Sequence, residues 1–185
     1  MRTSAPRMAP LRREELNDEQ REVLKGFEGR PLNNLLATLA RDPKALRRLL
    51  PWALYLYSPR SLPERQHQIV ILRTAYLCKS GYEFTQHSEP ELRAGLSEAD
   101  IARIKEGAHA GWQAADAALI RTADELIGDY DVSDDTWSAL SAHFDEQQCM
   151  DVVFTVGQYA QLSMFLNTFG VQLEPGQTLD PDLMS

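Results

Sequence analysis

LPERQHQIVILRTAYLCKSGYEFTQHSEPELRA, residues 62–94, is the stretch whose reading decides the fold. It divides into two helices at Ser80–Gly81. The first, about Pro63 to Lys79, is apolar on almost every side (Ile69, Val70, Ile71, Leu72, Ala75, Tyr76, Leu77). A helix apolar all round is one that others wrap. The second opens with Ser80-Gly81-Tyr82-Glu83, a serine followed three residues later by glutamate, which spells a capping box. His87 follows Glu83 by one turn, and side chains four apart share a helix face. The pattern predicts a buried helix that delivers a carboxylate and an imidazole, side by side, to the start of the next helix.

Cap signals organise the rest of the chain outward from this pair. Asn17-Asp18-Glu19-Gln20 opens a short helix ending near Gly29, and Asn33 to Arg41 forms a second. Asp42-Pro43 opens a third, which reaches about Tyr57 and stops at Ser58-Pro59; its interior Pro51 is expected to kink or split it. Ser61-Leu62-Pro63-Glu64 reads as another capping box, launching the central helix. Downstream, Gly95 is expected to end the motif's second helix, and Ser97 to cap a short one through Lys105. Residues 116–130 carry an amphipathic stripe, Ser133 caps the next helix, and a last long helix runs from about Glu146 to Phe169 before Gly170. No stretch alternates for a strand's length. The expectation is one all-α domain over residues 1–185, with two long buried helices, 63–79 and 146–169. Residues 1–15 are expected to form an N-terminal arm, and residues 171–185 a polar, Pro/Gly-rich tail, loose or laid on a neighbour.

Composition narrows the function classes. At 20.9 kDa, with 43% hydrophobic and 25% charged residues, the chain has the make-up of a soluble globular domain with a full core. No apolar run approaches the ~18 residues a spanning helix needs, and MRTSAPRMAP lacks the apolar segment of a secretory signal. Cys78 and Cys149 are too few for a disulfide framework. A reduced, cytoplasmic protein without a membrane partner is expected. The first 60 residues hold 12 Lys/Arg against 7 Asp/Glu and the remainder 7 against 20, so the acidic body argues against nucleic acid. The basic cluster Arg41, Lys44, Arg47 and Arg48 either steers an anionic substrate or, the favoured reading, is the solvated face of a helix whose Leu46, Leu49 and Leu50 point inward.

The motif also carries a resemblance. It is similar to the core motif of the carboxymuconolactone decarboxylase and alkylhydroperoxidase D superfamily, whose peroxidase branch has a helical glutamate, then CxxC, three residues and histidine. Anchored on His87, the match puts Glu83 at the second cysteine, Ser80 at the first and Gln68 at the glutamate, with Cys78 two residues ahead of the first cysteine position. The resemblance continues through RPLNNLLATLARDP (30–43), AGLSEADIARI (94–104) and VFTVGQYAQLSMFLNTFGVQL (153–173). It implies an alkylhydroperoxidase D-like all-α fold and a homo-oligomer (trimer, hexamer or related ring). It also implies a site without CxxC, lacking both thiols of a peroxidase cycle.

What remains resembles the decarboxylase side of the superfamily: proton-transfer chemistry of decarboxylation, lyase or isomerase type on a small carbonyl or lactone substrate. The expected catalytic residues are His87, which manages the proton, Glu83, which supports its charge, and Gln68, a neutral amide that positions without titrating. Expected at the substrate are Arg73, Ser80, Tyr159 and Asn167. Arg73 is a buried cation needing an anion, either the substrate's or a structural one from Glu83, Asp124, Glu125 or Asp151. Tyr159, Ser163 and Asn167 recur every four residues on the last helix, a polar line that either faces the Glu83–His87 pair or seals a helix contact. Neither a cofactor nor a metal is expected: His67, Glu83 and His87 lack metal-ligand spacing, and His67 is read as outward-facing. Spacing alone also allows a capping Glu83 and a core His87. The other reading of the whole chain is a thiol-independent remnant of the family that binds a small ligand or serves as an oligomeric scaffold.

Overall fold

The central helix, α4 (Glu64–Leu77), is buried at every residue from His67 to Ala75, as its nearly continuous apolar pattern requires. The computed structural model describes residues 3–57, 61–90 and 92–184, and among these all regular structure is helical. Ahead of α4 come α1 (Asp18–Val23), α2 (Asn34–Leu39) and α3 (Pro43–Tyr57). After it come α5 (Gly81–Ser88), α6 (Glu98–Glu106), α7 (Ala114–Gly128), α8 (Asp134–Ser141) and α9 (Glu146–Phe169).

Four helices, α5, α6, α7 and α9, pack around α4. Val70 faces Leu119, Ala123, Leu140 and Val152 on one side, while Ile69 and Leu72 join Phe84, Ile104 and Ile120 on another. Each such Leu or Ile contributes about 1.5–3 kcal/mol by leaving water. The basic cluster is the exposed face of α3 at Lys44, Arg47 and Arg48, with Leu46 buried beneath.

Reciprocal capping boxes start α1 (Asn17 with Gln20), α6 (Ser97 with Asp100) and α9 (Asp145 with Gln148). The box expected at Ser61 does not form. Its hydroxyl donates to Asp151 and its carbonyl accepts from Gln148 Nε2 at 2.9 Å, so Ser61 ties the α4 entrance to α9 and Pro63 occupies the cap position instead. Pro51 does not split α3. Pro51 and Arg47, whose carbonyl loses its helical donor, both lie on the exposed face, where solvent satisfies that oxygen. The predicted helix end at Ser58-Pro59 lies outside the described residues. α5 stops at Ser88, well before Gly95.

Both chain ends pack on the body, which corrects the expectation of a loose or neighbour-bound tail. Arg7 and Met8 donate backbone hydrogen bonds to the Phe169 carbonyl at 2.9 and 3.2 Å. Gly170 closes α9 with φ 65°, and a Cβ there would run into Thr3 and Ala5, so the position requires glycine twice over. The tail then crosses α5: Tyr82 donates to Glu174 at 2.8 Å and Gln86 to Gln177 at 3.0 Å. Further on, Lys105 holds Asp180 and Asp182 at 2.8 and 2.7 Å, and Leu183 is buried in the Phe84–Ile104 cluster. Among the described residues no helix is long and apolar enough to cross a membrane.

Candidate active site at the junction of α4 and α5

The chain leaves α4 through a left-handed residue, Lys79 (φ 51°). Lys79 N–H donates to the Tyr76 carbonyl at 2.9 Å and Ser80 N–H to Ala75 at 2.8 Å, the two bonds of a Schellman closure. This is why the capping box at Ser80 fails. The N–H that Glu83 would have bonded is already taken, and the Ser80 hydroxyl makes no cap bond. Glu83 is thereby released from the backbone and turned toward His87.

Four side chains from three helices meet there. His87 Nδ1 lies 2.9 Å from Gln68 Oε1. An amide oxygen only accepts, so Nδ1 carries the hydrogen and donates it, leaving Nε2 with its lone pair. Nε2 lies 3.6 Å from Glu83 Oε2. The Tyr159 ring meets the imidazole edge-on, centroids 5.2 Å apart. All four residues are buried. Burial pushes the Glu83 carboxyl up to about 7 and, together with nearby His67, holds the His87 imidazole down to about 3. The pair is therefore not a standing ion pair. Burial thus favours a neutral His87 and brings the Glu83 carboxyl toward neutrality. Burial, then Glu83 and Tyr57, keep Tyr159 protonated well above the ordinary phenol range.

Glu83, His87 and Tyr159 line a cavity of about 390 Å³, together with Gln158 and an apolar shell that includes Leu50, Tyr57 and Leu162. Such a volume suits a small organic molecule. Gln68 stands behind His87, and Ser80 is buried close to the junction; neither is among the lining residues.

The remaining expected residues lie elsewhere. Arg73 gives its charge to Asp124 at 2.6 Å and caps the end of α6 through the Ile104 and Lys105 carbonyls at 2.7 and 2.9 Å. Of the two anions open to it, it takes the structural one. The guanidinium packs on Gly107, where a Cβ would sit 3.1 Å from Nη2. The polar line on α9 divides: Tyr159 reaches the site, Ser163 is buried with its hydroxyl unpartnered, and Asn167 donates to the Cys78 carbonyl at 3.0 Å, sealing the end of α4. His67 is buried, not outward-facing, and burial brings its imidazole down to about 4, partly offset by a hydrogen bond to the Leu56 backbone. Gln158 is the lining residue that the four-residue periodicity passed over; a buried amide on so apolar a helix was the available signal.

No family model and no curated protein sequence matches the chain. Solved structures do. The debrominase Bmp8 superposes with a TM-score of 0.70 at 12% identity, covering 91% of this chain and 92% of that one. An AhpD core structure, an uncharacterised peroxidase-related protein from Ralstonia eutropha, gives 0.65 at 16% identity over 91% and 93%. A protein of unknown function from Agrobacterium tumefaciens, provisionally assigned to AhpD antioxidant defence, gives 0.67 at 19% over 72% and 93%. The chain has the alkylhydroperoxidase D-like fold.

Within this AhpD-like fold the site is distinguished by what stands at the cavity. Cys78 caps the end of α4 and Cys149 lies in the first turn of α9, its sulfur against the Phe144 carbonyl at 3.6 Å. Neither is among the lining residues, so the polar chemistry offered there is that of a carboxyl (Glu83), an imidazole (His87), a guanidinium (Arg30), and amide and phenol side chains that include Gln158 and Tyr159.

Proposed function

We propose that the protein is a proton-transfer enzyme acting on a small carbonyl or lactone substrate, by decarboxylation, elimination or isomerisation. The observation that carries this reading is the buried Glu83–His87 pair at the wall of the cavity, with the His87 ring held by Gln68 and burial raising the Glu83 carboxyl to about 7. A general acid–base works best when its pKa lies near the working pH. Glu83 in its acid form gives a proton to the substrate and in its base form takes one from the carbon beside a carbonyl. His87 Nε2 holds that proton in place between steps, and Tyr159 and Gln158 face the developing charge. The absence of a lining thiol supports this over a thiol cycle. The test is carbon dioxide release or solvent-deuterium incorporation across a panel of small keto acids and lactones. Activity should appear in the wild type and fall about 10²–10⁴-fold in Glu83→Gln. Undiminished turnover in that variant rules the assignment out.

A second observation supports self-association of the same protein. Met150, Val153 and Met164 are exposed on α9, and Trp52, packed edge-on against Phe154 of α9, and Tyr55 are exposed on α3. Large apolar side chains left exposed on adjoining helices suit an interaction face. A homo-oligomer, trimer, hexamer or related ring, is the expected state, and light scattering at a multiple of 20.9 kDa is the check.

A further inference from the structure

Two amides on α9 meet opposite fates. Asn167 spends its N–H on the Cys78 carbonyl. Gln158 is sunk in the interior, only 4% exposed, yet neither its Oε1 nor its Nε2 has a partner within the protein. The same holds for Glu83 Oε1. Leaving buried polar atoms unpaired is costly, and Gln158 and Glu83 line one cavity. The carboxamide thus offers a donor and an acceptor side by side to whatever enters. At the other extreme is Arg30, exposed to solvent and the one Lys or Arg among the described residues lining this cavity. Its backbone carbonyl is pinned by Arg13. Arg73, expected to hold a substrate anion, is neutralised by Asp124; Glu83 is the one carboxylate among the described residues lining this cavity, and its near neighbour is His87, not Arg30.

We infer that Gln158 and Arg30 fix the two ends of the ligand, making the preferred class a small flat carbonyl compound with an acceptor–donor pair at its inner end and an anionic group at its outer end. The inner end pairs with the Gln158 carboxamide beside Glu83 and His87. The anion stays at the mouth, where it keeps part of its hydration and meets the guanidinium. This orientation avoids placing a carboxylate against Glu83. It rests on the cavity being the substrate site, and it specifies which way the substrate faces.

Binding of three unreactive probes to the full chain, by calorimetry, tests the orientation independently of turnover. 4-Carbamoylbenzoate has both ends, benzamide lacks the anion, and 4-isopropylbenzoate lacks the inner polar pair. Wild type should prefer 4-carbamoylbenzoate over 4-isopropylbenzoate by about tenfold or more, and over benzamide by about three- to tenfold at low salt. Gln158→Met should erase the first preference and keep the second; Arg30→Gln should do the opposite. Gln158→Met should also melt no lower than wild type, since it removes unpaired polar atoms, whereas a structural amide would be missed. Where Gln158→Met fails to fold, Gln158→Glu, which keeps the shape and loses the donors, should still lower affinity for the amide probes. Preferences unchanged in both variants overturn the inference while leaving the proton-transfer reading standing. Expected preferences with no proton transfer to any carbonyl compound leave the orientation standing and sink that reading. No binding by any probe overturns the orientation, and the proton-transfer reading is then decided by turnover alone.

Discussion

Arg73 on α4 and Glu83 on α5 are both buried charges flanking one core, and the fold treats them in opposite ways. Arg73 meets Asp124 and two helix-end carbonyls. Glu83 meets a neutral imidazole at 3.6 Å and leaves one oxygen unpartnered. A satisfied charge holds helices together; an unsatisfied one keeps its proton near neutrality, where it can be exchanged. The difference arises in the backbone. The end of α6 presents bare carbonyls to Arg73, while the Schellman closure of α4 consumes the N–H that would have occupied Glu83.

The largest effect that would break this comparison is on rate. Glu83→Gln should lower turnover about 10²–10⁴-fold and at the same time stabilise the protein at alkaline pH. The folded-state value, raised from 4.5 to about 7, means that Glu83 favours the fold fully below pH 4.5 and that this contribution is lost as pH rises through 7. The loss is about 3 kcal/mol, so the variant should out-melt wild type at pH 8 and not at pH 4. His67 and His87 act in the other direction: lowered from 6.5 to about 4 and about 3, they cost stability as pH falls below 6.5. Equal melting of variant and wild type at both pH values would show that Glu83 is not held protonated.

Arg73→Met should mirror this, leaving chemistry and costing structure. Losing the ion pair and both carbonyl bonds should destabilise by about 3 kcal/mol, read as a melting point lower by roughly 6–12 °C. Turnover per folded molecule should be unchanged; a selective loss of turnover would return Arg73 to the site. Lys79→Gly sharpens the backbone half of the comparison. Glycine relieves the left-handed strain and should raise stability by up to about 1 kcal/mol without altering the pH profile. The smallest effect belongs to Ser80→Ala. A true N-cap would lose about 1 kcal/mol, but with no cap bond to lose the change should lie within about 0.5 kcal/mol of zero. A full unit of destabilisation would restore the capping box.

The helices were legible because caps and apolar periodicity are local: Asn17, Ser97 and Ser133 all sit where their sequence signals put them. The Glu83–His87 pair was legible for the same reason, since i,i+4 spacing fixes a shared face. What sequence could not show was competition for one partner. Ser80 and Ser61 carry correct capping-box letters, but a preceding helix claims the first and α9 the second. Nor could it show burial of His67, or that Gln158, one residue off the Tyr159 line, lines the cavity. These depend on how distant helices are laid together, as does the burial that raises the Glu83 carboxyl and lowers the His87 imidazole.

The strap of tail across α5 has a consequence for the order of events during folding. An eight-residue helix has no stability of its own in water, and the helix bearing Glu83 and His87 is held on its outer side by Glu174 and Gln177, some ninety residues further along. The α4–α9 contacts span similar distances in sequence but bury a continuous apolar core, whereas the outer side of α5 closes on these polar contacts, which offset less of the loop entropy. The α4–α7–α9 core should therefore acquire protection from hydrogen exchange before α5 does. The chain builds its scaffold first and assembles its chemistry last, once residues 174–177 have come to rest.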